Sequence, residues 1–201
     1  MSGSRRLRQL KMRVDEIEKH FMPPIRVGGN YSRLEGDQMR AYRLLVHAEV
    51  ESFLEDRAIE VLKKALDRYT ATKKTGRPLV SVLTFTELAS QGVPKKTSSP
   101  HDSCIVRLNR AFSHYRNWTQ HHNHGIKEKN VLSLLLPVGL EIADIDTTLL
   151  NTLDSYGAGR GAVAHSSGKT QQAIDPATEK ATVTLIIQEL EKLDAQLQTL
   201  K

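Results

Sequence analysis

Cysteine is nearly absent. The 201 residues contain one, Cys104, which excludes an internal disulfide framework and any multi-cysteine zinc site. No apolar run approaches the roughly 18–20 residues that a membrane-spanning helix needs. The longest, Val131 to Leu140, is interrupted by Ser133, Pro137 and Gly139. The basic N-terminus has no apolar core of the signal-peptide kind, which predicts a cytoplasmic protein with no membrane partner. Internal repeats and glycine-rich low-complexity tracts are lacking too. Acidic residues are in deficit: 23 Asp+Glu against 29 Lys+Arg leave a net charge of +6 and a pI near 9.5. With 39% hydrophobic and 26% charged residues, the composition is that of a folded chain, and its length suits a single domain with a sizeable core.

The positive charge is uneven. Residues 1–120 hold 22 Lys+Arg and 13 Asp+Glu, a balance of +9, while residues 121–201 hold 7 and 10, a balance of −3. Excess cations suit a nucleic acid or another polyanion, although a solvated surface has the same composition.

Spacing predicts an all-α chain. Leu10, Val14, Ile17 and Phe21 recur at alternating intervals of four, three and four, a helical seam that Pro23 and Pro24 terminate. After the turn at Gly28-Gly29-Asn30, either Ser32, three before Glu35, or Asp37 caps a long helix through Arg68. Leu44, Leu45, Ala48, Ile59, Leu62 and Leu66 are its expected inward positions. A basic, polar connection spans Thr70 to Pro78. Leu79 to Leu88 is rich in Val and Thr but has no strand to pair with, and reads as a short helix or a buried extended segment. Gln91 to Pro100 reads as a surface loop. Asp102 is the expected cap of a helix to about His122, stopped by Gly125, and a shorter helix from Lys127 to Leu136 ends at Pro137. Asp146 is expected to cap a segment through Tyr156, with a separate short helix carrying Arg160 and His165. Asp175-Pro176 is a helix start, a carboxylate cap followed by proline at the first position. The last helix repeats the seam pattern at Val183, Ile186, Leu190, Leu193, Leu197 and Leu200. The two terminal seams either pack together in the core or contribute to a dimer interface.

The segment Leu153 to Ser167 carries the chemistry. Arg160 and His165 are five apart, which on a helix separates them by about 140°. Gly157, Gly159 and Gly161 are poor helix formers and suit a junction where another backbone or a ligand comes close. Arginine offers forked donors that match a phosphate. Histidine gives and takes a proton near neutral pH. Together they suffice for phosphodiester cleavage without a metal. The alternative is an arginine paired to Asp154 and a histidine bonded in the core.

In its motifs the chain resembles the HEPN superfamily, and more narrowly its RiboL-PSP-type branch. The likeness rests on Leu44 to Glu55, on Asn123 to Asn130 leading into Leu134-Leu135-Leu136-Pro137-Val138-Gly139, and on Leu153 to Ser167 with its Arg-x4-His pair. Asp154, Arg160 and His165 keep an Asp-x5-Arg-x4-His spacing. The resemblance spans roughly residues 36–200 and implies an all-α helical bundle (36–201), preceded by a basic N-terminal helix and connection (1–35) and closed by a long C-terminal helix, in one globular unit. It further implies a metal-independent endoribonuclease of toxin or defence-effector type, without cofactor, acting on RNA as a homodimer with a composite cleft, and countered by an antitoxin or working in a defence complex. His165 would be the general acid/base and Arg160 would hold the scissile phosphate, with Asp154 orienting one of them. Many active members carry a polar residue just after the arginine; here it is Gly161, so that contribution falls to Ser166 or Ser167, or activity is reduced or lost. A catalytically silent HEPN-like module binding RNA, nucleotide or protein is the alternative.

Other candidates lie elsewhere. His47 and Glu51, four apart on one helix face, either line the same cleft or form a structural pair. His114, His121, His122 and His124 lack carboxylate or cysteine neighbours in sequence, so no metal site is expected. Arg107, Arg110, Tyr115, Arg116 and Trp118 mix cations with aromatics, which suits RNA contact or, alternatively, buried rings beside solvated arginines. Cys104 reads as a packed thiol. Arg5, Arg6, Arg8, Lys11 and Arg13 either grip RNA or an acidic partner, or simply solvate their helix.

Overall fold

A computed structural model describes residues 3–85, 103–165 and 173–200, with side chains at 162–165 excepted. The described residues form seven α-helices and no strand: α1 (Arg5–Phe21), α2 (Arg33–Thr72), α3 (Arg77–Phe85), α4 (Cys104–His122), α5 (Glu128–Leu135), α6 (Thr147–His165) and α7 (Pro176–Thr199), with a 3₁₀ turn at Ile142–Asp144. No helix among them is long and apolar enough to cross a membrane.

Local chemistry sets most boundaries. The Ser4 hydroxyl accepts the Leu7 N–H at 3.1 Å to open α1, which ends just ahead of the Pro23-Pro24 pair. Of the two caps expected for α2, Ser32 is used. Its hydroxyl accepts the Glu35 N–H at 3.2 Å, and the Glu35 carboxylate accepts the Ser32 N–H at 2.8 Å, a reciprocal box. Asp37 lies inside the helix. α2 runs one turn past Arg68 and closes at Lys73, which adopts a left-handed φ of 60° and donates its N–H to the Tyr69 carbonyl. The Val- and Thr-rich stretch is helical in its described part, to Phe85, where it forms α3 with Leu79 and Val82 buried one turn apart. α4 begins after Ser103, which makes no side-chain cap bond; Asp102 and the loop from Gln91 to Pro100 lie outside the described residues. Asp175 caps α7 as expected, accepting the Thr178 N–H at 2.8 Å with Pro176 in the first turn.

The expected break after Tyr156 is corrected. The two segments predicted after Asp146 are a single helix, α6, which passes through Gly157, Gly159 and Gly161 without a break. Propensity argued for an interruption, but packing holds this stretch helical. A side-chain Cβ at Gly157 would stand 3.2 Å from Lys127 Cγ and 3.4 Å from Ile126 Cγ1, and one at Gly159 would stand 2.9 Å from Arg43 Nη1. These two glycines let α6 sit close against its neighbours. Gly161 faces open space.

A single main core joins both terminal seams. Leu7, Leu10, Val14 and Ile17 of α1 meet Val183, Ile186, Leu190, Leu193 and Leu197 of α7 around the long α2. The seams therefore pack within the chain, and the division at 35/36 falls in the first turn of α2. Ala48, expected inward, is exposed, because the buried line on α2 runs through Val46, His47 and Val50 and leaves residue 48 on the far side. Leu44, Leu45 and Ile59 are half-buried. α1 lies on α2 and α7, where its cations meet acids: Arg6 with Asp56 at 3.1 Å, Arg13 with Glu49 at 3.2 Å, and Lys11 with Glu191. Much of the basic N-terminal charge is thereby matched within the chain.

Candidate functional site

Helix α2 carries a polar line at four-residue spacing: Arg43, His47, Glu51 and Glu55. Such residues stack on successive turns of one side. His47 is 2% exposed, with Nδ1 at 3.6 Å from the Glu51 carboxylate. Glu51 also accepts the backbone N–H of Gly125, which adopts φ +105° at the turn between α4 and α5. That turn is held by Asn130, which donates to Asn123 Oδ1 at 3.2 Å and to the His124 carbonyl at 3.1 Å. Gly157 of α6 packs against its next two residues, Ile126 and Lys127. The sequence motifs around 44–55 and 123–130 and the part of the third motif around Gly157 are thus assembled at one place.

Arg160 follows Gly157 by about one turn of α6 and is exposed. Its positive charge reaches His47. Burial depresses the His47 pKa below its ordinary value, Glu51 opposes this, and Arg160 adds to the depression. His47 is therefore neutral at neutral pH. His47 is buried and Glu51 half-buried, and the His47 member of the pair lies within the electrostatic reach of Arg160. Asp154, expected to orient Arg160 or His165, reaches the start of α5. Its carboxylate accepts the Glu128 N–H at 3.1 Å and so caps α5. The backbone of His165 closes α6; its side chain, with Ser166 and Ser167, lies outside the described residues.

Three residues of this site were not singled out by sequence. Arg43 grips Glu179 of α7 with two donors, Nε at 2.8 Å from Oε1 and Nη2 on Oε2. Its guanidinium also lies 5.7 Å from the centroid of the Tyr156 ring. Burial and the Glu179 charge push the Tyr156 phenol well above its usual range. Gly159 leaves room for Arg43, so this cluster fixes the turn of α6 immediately before Arg160. The four-residue spacing of Arg43 and His47 is a visible signal; Glu179 lies 136 residues away from Arg43 and gives none.

The residues proposed for RNA contact gather elsewhere, on α4. Arg107, Arg110 and Arg116 are exposed and Trp118 is half-buried. Arg116 lies nine residues from Arg107, about 180° around the helix, and stands 5.9 Å from the Phe112 ring centroid. The four side chains therefore do not share a face. Tyr115 is buried and donates its hydroxyl to the Leu134 carbonyl at 2.8 Å. Cys104 is exposed, contrary to the packed thiol expected, because it occupies the first turn of α4. Among the described residues no three metal-ligating side chains converge. His121, His122 and His124 are exposed at the end of α4, and His124 Nε2 lies 3.1 Å from the His121 carbonyl. Comparison with protein-family models, with curated proteins and with solved structures found no match to this chain.

Proposed function

We propose that the protein is a metal-independent endoribonuclease of the HEPN type, a toxin or defence effector acting on RNA as a homodimer in which Arg160/His165 pairs of two protomers share a cleft. The observation that carries this reading is the exposed Arg160 side chain on an unbroken helix, one and a half turns before His165, with a charge that adds to the depression of the buried His47 imidazole. In the proposed reaction the ribose 2′-oxygen attacks the adjacent phosphorus as its proton passes to a histidine. The bond from phosphorus to the 5′-oxygen breaks, and that oxygen takes a proton from a second acid. The products are a 2′,3′-cyclic phosphate and a 5′-hydroxyl. Arg160 stabilises the charge that builds on the non-bridging oxygens.

A second reading, a silent HEPN-like module that binds RNA, nucleotide or protein, has its own support. Gly161 presents no side chain next to Arg160, and one oxygen of the Asp154 carboxylate accepts from the α5 backbone. Incubation of total RNA with purified protein in EDTA separates the two. The ribonuclease reading expects cleavage with cyclic-phosphate ends, reduced at least about 100-fold by His165→Ala or Arg160→Ala at unchanged circular dichroism. Identical behaviour of wild type and both variants overturns it.

A further inference from the structure

Helix α4 carries three arginines and three histidines in its 19 residues, and neither Asp nor Glu. Arg107, Arg110 and His121 all lie within about 40° of His114 around the helix, so they form one basic stripe along it. His114 also lines a cleft of about 600 Å³ between α3, α4 and α5, whose other walls are chiefly apolar, Phe85, Trp118, Leu132 and Pro137 among them. A second chamber, of about 440 Å³, runs between α3 and the chain from Leu136 to Ala143. The two share Phe85 and Leu136 and adjoin there as one groove. Phe85 and Ile142, 57% and 63% exposed, offer apolar surface to solvent along it, as interaction surfaces do. Two of the groove's hydroxyls are already committed: Tyr115 donates to the Leu134 carbonyl at 2.8 Å, and Ser81 to the Leu136 carbonyl at 2.7 Å. The lining therefore favours apolar side chains, which ask for no hydrogen bond, over a group with a polar edge.

Charge is asymmetric along the groove. At the second chamber Arg77 is matched by Glu141 at 3.0 Å and by Asp144 at 2.9 Å. At the first, the α4 stripe and Lys129 are accompanied by Glu128 as the one carboxylate of the lining. We propose that this groove docks an acidic amphipathic segment of a partner protein. Two bulky apolar side chains of the segment occupy the adjoining chambers, and its carboxylates meet Lys129 and the stripe of Arg107 and Arg110. A small apolar molecule would fill one chamber and leave the stripe unused, and a basic segment would meet α4 with charge of the same sign. A nucleic-acid strand would suit the stripe but carry base edges into chambers with little to pair them. Glu128 opposes an acidic partner and so limits affinity. Neither chamber is lined by a residue of α2 or α6. The surface is distinct from the Arg160 site, and the proposal stands whether or not RNA is cut.

The full-length protein is used to select from a displayed library of random peptides of about 16 residues, long enough for about four helical turns. Enriched sequences are expected to combine two or more bulky apolar residues with a net negative charge. A synthetic peptide of such a sequence, lacking tryptophan, is then titrated against Trp118, the only tryptophan in the chain. A saturable change in fluorescence is expected. Phe85→Ala and Arg107→Glu should each weaken binding about tenfold, and Glu128→Gln should tighten it about threefold, all at unchanged circular dichroism. Phe85 and Arg107 are exposed, so neither variant removes a buried side chain. Enrichment of basic or wholly polar sequences overturns the proposal, as does equal enrichment on the Phe85→Ala protein. Weaker binding by Glu128→Gln would make that carboxylate a ligand contact and exclude an acidic partner. Displacement of the peptide by a lower concentration of short single-stranded RNA would assign the groove to nucleic acid instead.

Discussion

Glu55 stands one turn beyond Glu51 on α2, and its carboxyl is pushed up to about 7 by burial and by the Glu51 charge, with a smaller push from Asp56 and partial relief from His124. The unfolded chain releases the same proton near 4.5. Between these values the unfolded state binds fewer protons than the folded one, so stability falls as pH rises, and the loss is complete above about pH 7. Removing the titration should therefore help only on the alkaline side. Glu55→Gln is expected to raise unfolding free energy by roughly 1–2 kcal/mol near pH 8, discounted for partial solvent exposure, and by almost nothing near pH 4. Urea denaturation at the two pH values checks this; an equal gain at both would mean that Glu55 titrates as an ordinary carboxylate. The site thus concentrates side chains whose charge is disfavoured, His47 and Glu55, on either side of Glu51. Glu51 is the member that accepts a backbone hydrogen bond.

Among the elements, α6 shows how local preference and packing divide the work. Gly159 and Gly161 occupy the same helix two residues apart, and one substitution should have opposite effects there. Alanine favours a helix interior over glycine by about 1 kcal/mol. At Gly161 nothing lies within 4 Å of the new Cβ, so Gly161→Ala is expected to gain roughly 0.5–1 kcal/mol. At Gly159 the new Cβ would meet Arg43 Nη1 at 2.9 Å, on a guanidinium already held by Glu179. Displacing that charge-assisted pair outweighs the helix gain, and Gly159→Ala should lose about 1–2 kcal/mol. Thermal melts of the two variants test the difference in sign. The same contrast explains what the sequence made legible. The starts of α2 and α7 were readable because Ser32-x-x-Glu35 and Asp175-Pro176 are local devices that work within one turn. The seams of α1 and α7 were readable because their periodicity survives in any helical context. The continuity of α6 was not, since it depends on Arg43 and Lys127, which reach the glycines only after folding. Motif blocks at 44–55 and 123–130 and the described part of the block from Leu153 meet in the structure, but Asp154 could not be assigned to the α5 cap from spacing alone.

At the scale of the whole molecule, the chain is closed by a network that joins its two ends to its middle. Arg57 on α2 is 1% exposed and donates Nε to Asp194 of α7 at 2.6 Å and Nη1 to Glu60 at 2.7 Å. Asp194, fully buried, accepts the Ser4 N–H at 2.7 Å and Gln198 Nε2 at 2.8 Å. Burial alone would raise the Asp194 carboxyl, but the Ser4 donors and the Arg57 charge outweigh it and hold the group below its ordinary value. It stays ionised wherever the chain is folded near neutral pH. Because α7 also supplies Glu179 to Arg43, the position of the Arg160 turn depends on the same closure of α7 onto α2. Removing one partner of a buried ion pair leaves the other charge without compensation, whereas replacing both by apolar groups of similar size does not. Asp194→Ala is therefore expected to cost about 3–5 kcal/mol, and the double variant Arg57→Met with Asp194→Leu to remain within about 1–2 kcal/mol of wild type. Urea denaturation of the three proteins measures this directly. A double variant no more stable than Asp194→Ala would show that the network sets the packing of α7 and does not merely compensate its own buried charges.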